Sequence, residues 1–251
     1  MNIAIITGAS SGIGVEFFKE IQKEPLDEVW VIARREEKLI EICQKYAKTG
    51  YRVIPMDITK DESIKKLSAM LEAENPCIKF LFNNAGFGVF GAVEDVNYIT
   101  QSQMIDLNVK SLTEITSITL KYMDKGSCII NTSSIASFVP NARMAAYSAS
   151  KSYVQSFSLA LRHELKKRRI NVTAVCPGPM ATDFFNIAGA QKGTSKKIDS
   201  LPLCDPHKTA KSAIKAAKKG RAVYTPRLFY KGCRLLAKVA PHSVLMNIAK
   251  T

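Results

Sequence analysis

The fold class of this chain is decided by residues 1–14, MNIAIITGASSGIG. Residues 2–7 form a short apolar run rich in isoleucine, and a turn containing Gly8, Gly12 and Gly14 follows at once. From residue 12 onward the apolar positions recur at helical spacing. Glycines between a strand and a helix let the backbone approach a pyrophosphate, whose charge is held by the free N–H groups at the start of the helix. The stretch therefore predicts a dinucleotide-binding βα unit.

The remainder of the chain repeats this alternation of strand and helix. Short β-branched runs predict strands at 2–7, 28–33, 52–56, 79–83, 127–132, 170–176 and 222–225. Helical spacing predicts helices at 12–23, 36–47, 61–73, 100–123 and 144–168. Joined by right-handed crossovers, these elements predict an α/β fold with a doubly wound parallel sheet (Rossmann fold) in three α/β/α layers. We expect one domain over residues 1–251, with a substrate lid at about 178–205, where no clear period is visible.

Composition excludes several classes of protein. Hydrophobic residues make up 46% and charged residues 23% of the 251 residues, which excludes a disordered chain and a disulfide-stapled miniprotein. The six cysteines lie far apart without a CxxC pair, so the sequence predicts neither a metal site nor a disulfide framework. With no secretory leader and no apolar run of about 20 residues, we expect a cytoplasmic protein.

Two arginines lie at the position that distinguishes NAD-binding from NADP-binding folds. An acidic residue about 20 positions beyond the glycine turn accepts the ribose hydroxyls of NAD, whereas an arginine nearby accommodates the 2′-phosphate of NADP. Arg34 lies 20 residues after Gly14, and Arg35 follows it. Because the planar guanidinium matches phosphate geometry, the sequence predicts NADP(H) as the cofactor.

Three polar residues suit acid–base chemistry at one edge of the predicted sheet. Tyr147 and Lys151 lie one turn apart on one face of the predicted helix 144–168. A neighbouring ammonium favours the phenolate and so brings a tyrosine toward proton transfer near neutral pH. Ser134 lies just beyond the predicted strand 127–132, at the carboxyl edge where open α/β sheets bind ligands.

In this order and at these intervals, the motifs resemble those of the short-chain dehydrogenase/reductases, in their single-domain branch. The match covers nearly all of residues 3–183. The matching positions are Thr7–Gly14 (TGASSGIG), Asp57, Asn83–Gly86, Asn108, Ser134, Tyr147 with Lys151, and Pro177-Gly178 with Thr182.

The resemblance implies a role for each matching residue. Tyr147 would be the general acid or base at the reacting oxygen, and Ser134 would hydrogen-bond the same oxygen. Lys151 would hold the nicotinamide ribose and lower the pKa of Tyr147, while Asn108 would anchor a water in a proton relay behind Lys151. The expected catalytic residues are thus Asn108, Ser134, Tyr147 and Lys151. The expected cofactor-binding residues are Gly8, Ser10, Ser11, Gly12, Ile13, Gly14, Arg34, Arg35, Asp57, Ile58, Asn84, Ala85, Gly86, Tyr147, Lys151, Pro177, Gly178 and Thr182.

Segments after the fourth to sixth predicted strands supply apolar side chains for a substrate pocket. They contain Phe87, Val89, Phe90, Ala136, Phe138, Val139, Met144, Pro179, Met180, Phe184 and Phe185. An apolar pocket with one polar point of attack predicts a bulky lipophilic ketone or secondary alcohol as substrate. The C-terminal ending, residues 221–226 followed by a basic stretch, resembles that of family members that act on steroids and other lipophilic carbonyls, which implies a substrate such as a hydroxysteroid or bile acid. Two alternatives are a reductase of 3-oxoacyl thioesters or small carbonyls, and an NADP-binding regulatory protein. The histidines His163, His207 and His242 are given no chemical role.

The C-terminal segment, residues 205–251, is strongly basic. It contains eleven Lys/Arg against the single acid Asp205, a net charge of +10 out of +14 for the chain. A solvated surface, an acidic substrate, a membrane and a nucleic acid all fit such a charge. No nucleic-acid-reading motif accompanies it, so we predict no nucleic-acid partner.

Residues 227–240 predict an amphipathic basic helix. The cations Arg227, Lys231, Arg234 and Lys238 and the apolar stripe Phe229, Cys233, Leu236 and Val239 all recur at helical spacing. The helix suits an anionic membrane surface, or the stripe packs on the chain's own sheet or on a second subunit. We favour packing, because Gly232 and Pro241 shorten the helix. The resemblance itself implies a homodimer or homotetramer that pairs through the helices 100–123 and 144–168.

Overall fold

The computed structural model describes residues 1–181, 201–241 and 245–246. Seven parallel strands form one sheet: β1 Asn2–Thr7, β2 Glu28–Ala33, β3 Gly50–Pro55, β4 Cys77–Asn83, β5 Cys128–Thr132, β6 Asn171–Val175 and β7 Val223–Tyr224. Their order is β3-β2-β1-β4-β5-β6-β7. This doubly wound order confirms the predicted fold class, and every predicted strand lies within two residues of its observed bounds.

Helices connect the strands and cover both faces of the sheet. They are α1 Gly12–Ile21, α2 Glu36–Tyr46, α3 Asp61–Glu74, α4 Tyr98–Ile105, α5 Ser111–Thr119, α6 Ala145–Glu164, α7 Pro206–Lys218 and α8 Leu228–Val239. The side chains of alternate residues in β1 lie on opposite faces of the sheet. Ala4 and Ile6 pack with α1, α2 and α7, while Ile3 and Ile5 pack with α3, α5 and α6. Because both faces of the sheet are covered at β1 and β2, these strands are nearly continuous apolar runs instead of alternating ones.

The prediction of one regular helix over residues 100–123 is wrong. The chain is helical from Tyr98 onward, but a π-helical turn, Asp106–Lys110, separates α4 from α5, and a 3₁₀ turn, Leu120–Tyr122, ends it. A π-helical turn contains one more residue than an α-helical turn, so it changes the direction of the side chains that follow. Such turns are frequent at functional sites. Asn108 lies at the middle of the turn.

Helix α7 is absent from the predicted elements. Asp205 caps its N-terminus by accepting a hydrogen bond from the Lys208 N–H at 3.0 Å, and Pro206 occupies the first turn. An aspartate at the N-cap and a proline in the first turn are both typical of the start of a helix. The buried face consists largely of alanines, which let α7 pack closely on the sheet and α1 but give a weak hydrophobic pattern in the sequence.

The strand order reverses between β1 and β4, so the connections that leave these strands diverge to opposite faces. Such a point opens a crevice at the carboxyl edge of the sheet. Part of the predicted lid at 178–205, residues 182–200, lies outside the described residues, as do Thr182, Phe184, Phe185 and His242. In the part of the chain that is described, no helix is long and apolar enough to cross a bilayer.

Candidate active site

A cleft of about 970 Å³ lies at the carboxyl edge of the sheet, over the crevice between β1 and β4. One end is bordered by the glycine turn after β1 and by the loops after β2 and β3. The other end is bordered by the loops after β4, β5 and β6, by the start of α6 and by α8. The cleft therefore joins the two regions that the sequence predicts for cofactor and substrate.

The glycine turn closes tightly against the sheet. The Gly8 N–H donates to the Ile32 carbonyl at 2.8 Å, and Gly8 and Gly12 have φ values of 68° and 56°, which favour glycine. A Cβ at Gly14 would collide with the Gly8 carbonyl oxygen, and one at Gly8 would lie 2.7 Å from the Ala85 Cα. Only glycine fits these positions, and the backbone around them stays open to a ligand.

Asn84 fastens this turn to the neighbouring strands. Its side-chain amide donates to the Thr7 and Gly8 carbonyls, both at 3.2 Å, and its side-chain oxygen accepts from the Thr132 hydroxyl at 3.2 Å. The Thr7 hydroxyl in turn accepts from the backbone N–H groups of Asn84 and Ala85 at 3.0 and 3.1 Å. The ends of β1, β4 and β5 are thus held together beneath the cleft.

The donors at this end of the cleft fit a dinucleotide. Helix α1 begins at Gly12 with no acidic residue in its first turn, so its N-terminal N–H groups face an uncompensated positive end. Arg34 and Arg35 are exposed at the cleft border, and Arg35 donates to the Ser10 hydroxyl at 3.4 Å. A Cβ at Gly86 would come within 2.7 Å of the Asn108 side-chain oxygen and 3.3 Å of the Lys151 ammonium, so glycine keeps this floor open. The cradle and its cations match the phosphates and ribose of a nicotinamide dinucleotide.

Tyr147 and Ser134 meet in the cleft, where the loop after β5 faces the start of α6. Tyr147 is buried in the first turn of α6 and packs with Met104 and Ala136. Ser134 follows β5 and accepts a hydrogen bond from the Ala136 N–H at 3.1 Å, which fixes its side chain. Burial raises the pKa of Tyr147 to about 12, and the hydrogen bond with Ser134 acts in the opposite direction. The expected lowering of this pKa by Lys151 is wrong for the protein without cofactor, because burial has the larger effect. The phenol is therefore protonated at neutral pH.

Lys151 is buried one helical turn beyond Tyr147. Its ammonium donates to the Thr132 carbonyl at 2.9 Å and lies 5.8 Å from the centroid of the Tyr147 ring. The Lys151 carbonyl accepts from the Ser133 hydroxyl at 2.8 Å, which ties α6 to the end of β5. Burial lowers the pKa of Lys151 to about 8. The fold thus holds a lysine that is still mainly an ammonium at neutral pH but releases its proton at lower pH than an exposed lysine, beside a tyrosine that keeps its proton.

Asn108 lies behind these groups and is not part of the cleft lining. Its side-chain amide donates to the Phe87 carbonyl at 2.9 Å and to the Ser150 hydroxyl at 3.1 Å, and its side-chain oxygen accepts from the Phe87 N–H at 3.1 Å. The π-helical turn presents Asn108 toward the loop after β4 and toward α6. Asn108 therefore joins the two segments that carry Gly86 and Lys151.

Most of the predicted cofactor and substrate residues lie along the cleft. The lining contains Gly8, Ser10, Ser11, Gly12, Ile13, Arg34, Arg35, Asp57, Ile58, Asn84, Ala85, Gly86, Ser134, Tyr147, Lys151, Pro177 and Gly178. From the predicted substrate wall it contains Phe87, Phe90, Ala136, Phe138, Val139, Met144, Pro179 and Met180. Gly14 and Val89 are not in the lining. Gly14 packs under the turn, and Val89 packs against the cluster that holds Tyr147.

Helix α8 is the part of the lining that the sequence analysis missed. Phe229, Tyr230, Cys233 and Leu236 border the cleft, as do Leu201 and Leu245. Tyr230 is buried, donates to the Pro202 carbonyl at 2.8 Å and packs its ring where a Cβ of Gly178 would lie. The spacing of Phe229, Cys233 and Leu236 was the available signal. It indicates one face of a helix but not what that face contacts.

The prediction that the stripe on α8 packs on the chain's own sheet is wrong. Of the residues in α8 only Tyr230 is buried, while Phe229, Cys233, Leu236 and Val239 are exposed. Gly232 does not break the helix, which continues to Val239 because a single glycine costs a helix only about 1 kcal/mol. Packing of this face on a second subunit stays a prediction.

A family model and a related sequence both match this chain. The model of the short chain dehydrogenase family matches residues 2–193. An uncharacterized oxidoreductase of Staphylococcus epidermidis is 30% identical over 205 residues, which are 81% of this chain and 87% of that protein.

Solved structures agree in fold. A short-chain dehydrogenase from Sphingobium yanoikuyae in complex with NADPH matches with a TM-score of 0.80 and 23% identity, over 96% of this chain and 97% of that one. A short chain dehydrogenase/reductase from Burkholderia phymatum in complex with NAD matches with a TM-score of 0.83 and 19% identity, over 100% and 95% of the two chains. These likenesses show the three-layer fold.

Proposed function

The chain belongs to the short-chain dehydrogenase family, and from this premise we propose that it interconverts ketones and secondary alcohols with NADP(H) on bulky lipophilic substrates. One observation carries the proposal: Ser134, Tyr147 and Lys151 are buried together in the cleft that the glycine turn also lines. Bound there, the nicotinamide supplies the hydride for reduction or takes it up in oxidation.

The chain's own residues handle the proton. Tyr147 is protonated at neutral pH, since burial raises its pKa to about 12, and its hydroxyl donates to the carbonyl oxygen of the substrate. Ser134 donates a second hydrogen bond to the same oxygen and stabilises the charge that develops there. The Lys151 ammonium has three donors, and among the described residues the Thr132 carbonyl accepts one of them, which leaves two that can bind the ligand. Asn108 acts as a positioning residue, because it joins the loop that carries Gly86 to α6.

The walls of the cleft support a lipophilic substrate. Beyond Ser134 and Tyr147 the lining includes Phe87 and Phe90 from the loop after β4, Phe138 from the loop after β5, and Phe229 and Leu236 from α8. Apolar walls around one polar point of attack favour large ketones over small polar ones, because burial of apolar surface contributes to binding.

Self-association is part of the proposal. The exposed side chains of Ile105 on α4 and of Tyr153 and Leu159 on α6 support pairing through these helices, as the family resemblance implies. These residues lie away from the cleft lining, so pairing there leaves the proposed site accessible.

The function is tested by the consumption of NADPH with a substrate panel. We expect turnover with oxosteroids, oxo bile acids and other bulky ketones, and little with small ketones. Turnover confined to 3-oxoacyl thioesters would replace the proposed substrate class. Tight NADPH binding without turnover on any of these compounds would favour a regulatory role over an enzymatic one.

Arg34 and Arg35 are predicted to determine the preference for NADPH. The double variant Arg34→Ala/Arg35→Ala should raise the KM for NADPH roughly 10- to 100-fold, because a hydrogen bond to a charged group contributes about 1.5–3 kcal/mol. The KM for NADH should change little, since NADH has no 2′-phosphate. Steady-state kinetics with both cofactors measure the change.

The matched control for the arginine variant is Lys38→Ala, which removes an exposed cation from α2 outside the cleft and should leave both KM values unchanged. An equal loss with NADH and NADPH would contradict the assignment of these arginines to the 2′-phosphate.

A further inference from the structure

Helix α8 presents an unusual apolar face to the outside. Leu228, Leu235 and Val239 are 82%, 67% and 76% exposed. At about 100° per residue these three residues fall within one narrow stripe of their own, separate from Phe229, Cys233 and Leu236, which border the cleft. The stripe lies on the side of the helix opposite Tyr230, the buried contact of α8 with the fold. Isolated exposed apolar residues are ordinary on a protein surface, but a continuous apolar stripe marks an interaction site.

Cations flank this stripe. Lys231 and Lys238 are exposed on one side of it, Arg227 precedes the helix, and no acidic residue occurs in α8. The surrounding segment 205–251 carries a net charge of +10. The partner of this face therefore has an apolar layer and a negative charge beside it.

A second copy of the chain fits this face poorly. In a two-fold contact the same patch meets itself, so two α8 helices would bring their lysines together without an acid between them. An anionic lipid surface supplies both features, because its acyl boundary accepts aliphatic side chains and its headgroups attract lysines. The stripe consists of leucine and valine, which suits an acyl boundary.

We propose that α8 docks this protein on an anionic lipid surface, with Leu228, Leu235 and Val239 in the acyl boundary and with Lys231 and Lys238 at the headgroups. The helix lies on the surface, since no described helix can cross a bilayer. Phe229 and Leu236, next to the stripe, border the cleft and are half exposed. Docking thus brings the mouth of the cleft to the lipid, where a lipophilic substrate enters. This last consequence rests on the proposed function, whereas the docking itself does not.

The docking is tested by co-sedimentation of the full chain with vesicles. We expect binding to vesicles of phosphatidylcholine mixed with phosphatidylserine, weaker binding to phosphatidylcholine alone, and loss of binding at high salt. The variant Leu228→Gln/Leu235→Gln/Val239→Gln should lose binding. The variant Lys231→Ser/Lys238→Ser should bind about 25-fold more weakly, at about fivefold for each cation.

Two control variants make the same kinds of change elsewhere on the surface. Val93→Gln/Ile99→Gln removes exposed apolar side chains, and Lys166→Ser/Lys167→Ser removes exposed cations, and both should bind like the wild type. Thermal melting establishes that all variants are folded.

The proposal is overturned if the wild type does not sediment with the mixed vesicles, if phosphatidylserine makes no difference, or if the α8 variants bind unchanged. A smaller oligomer in the triple variant, without vesicle binding by the wild type, would instead assign the face to a second copy. Turnover on soluble ketones is measured separately, so a failure of docking is distinguishable from a failure of the proposed function.

Discussion

Tyr147→Phe is expected to lower kcat for ketone reduction by roughly 10²- to 10⁴-fold, the range that a positioned general acid contributes. The variant removes only the hydroxyl. The ring stays packed against Met104 and Ala136, so the shape of the cleft is kept. Because the raised pKa of about 12 keeps the phenol protonated at neutral pH, the wild type delivers this proton over the whole neutral range. NADPH binding should change far less than kcat, because Tyr147 is the one expected cofactor-binding residue that is altered, while the glycine turn and Lys151 are untouched.

The matched control is Tyr153→Phe. Tyr153 lies on the same helix, α6, is partly exposed, and shares a hydrogen bond of 2.9 Å with the Thr113 hydroxyl outside the cleft. It should retain wild-type kcat. Single-turnover reduction, together with a fluorescence titration of NADPH, separates chemistry from binding. If Tyr147→Phe reduces the substrate at the wild-type rate, Tyr147 is not the proton donor.

The parts of the fold that follow from local pattern could be predicted. Residues 2–14 carry a strand, a glycine turn and a helix start within a few positions, and Gly14 has no room for a Cβ. Tyr147 and Lys151 share a helix face because they are four residues apart, a relation that no tertiary contact alters. Local sequence thus defined the sheet and the order of the site residues along it.

The parts that depend on tertiary contact could not be predicted from such patterns. Helix α7 buries alanines against α1, and alanine contrasts too little with its neighbours to show a period. The π-helical turn at Asn108 is held by hydrogen bonds to Phe87 and Ser150, which are distant in sequence. Whether α8 lies over the sheet or over the cleft depends on Tyr230 filling the space beside Gly178, which its own periodicity does not specify.

Lys151→Met is expected to abolish activity and to stabilise the protein without cofactor by up to about 2 kcal/mol at neutral pH. Burial lowers the pKa of Lys151 from its ordinary value of 10.5 to about 8, so the charged form costs the folded state roughly 3 kcal/mol. Methionine has a similar length and carries no charge. It leaves the Thr132 carbonyl without its lysine donor, which costs about 1–3 kcal/mol and reduces the gain. Function and stability are therefore opposed at this position.

The sign of this effect depends on pH. Between about pH 8 and 10.5 the folded wild type has released the Lys151 proton while the unfolded chain still holds it, so wild-type stability rises with pH in this range. The variant has no such rise. Its advantage should be greatest near pH 7 and should shrink as the pH approaches 10. Above about pH 10 the unfolded Tyr147 ionises before the folded one, and this destabilisation by alkali is common to both proteins.

Urea unfolding measures the difference, with the fluorescence of Trp30 as the reporter. Trp30 is the only tryptophan of the chain and is fully buried in β2, so its emission follows the opening of the sheet. Lys166→Met is the matched control: the same substitution at an exposed lysine should stay within about 0.5 kcal/mol of wild type at each pH. If Lys151→Met destabilises the fold equally at pH about 7 and about 9.5, the ammonium is net stabilising where it lies, and the opposition between function and stability is wrong. If the gain is present at pH 7 and lost toward pH 10, the fold keeps Lys151 buried at a cost that only its role in the cleft explains.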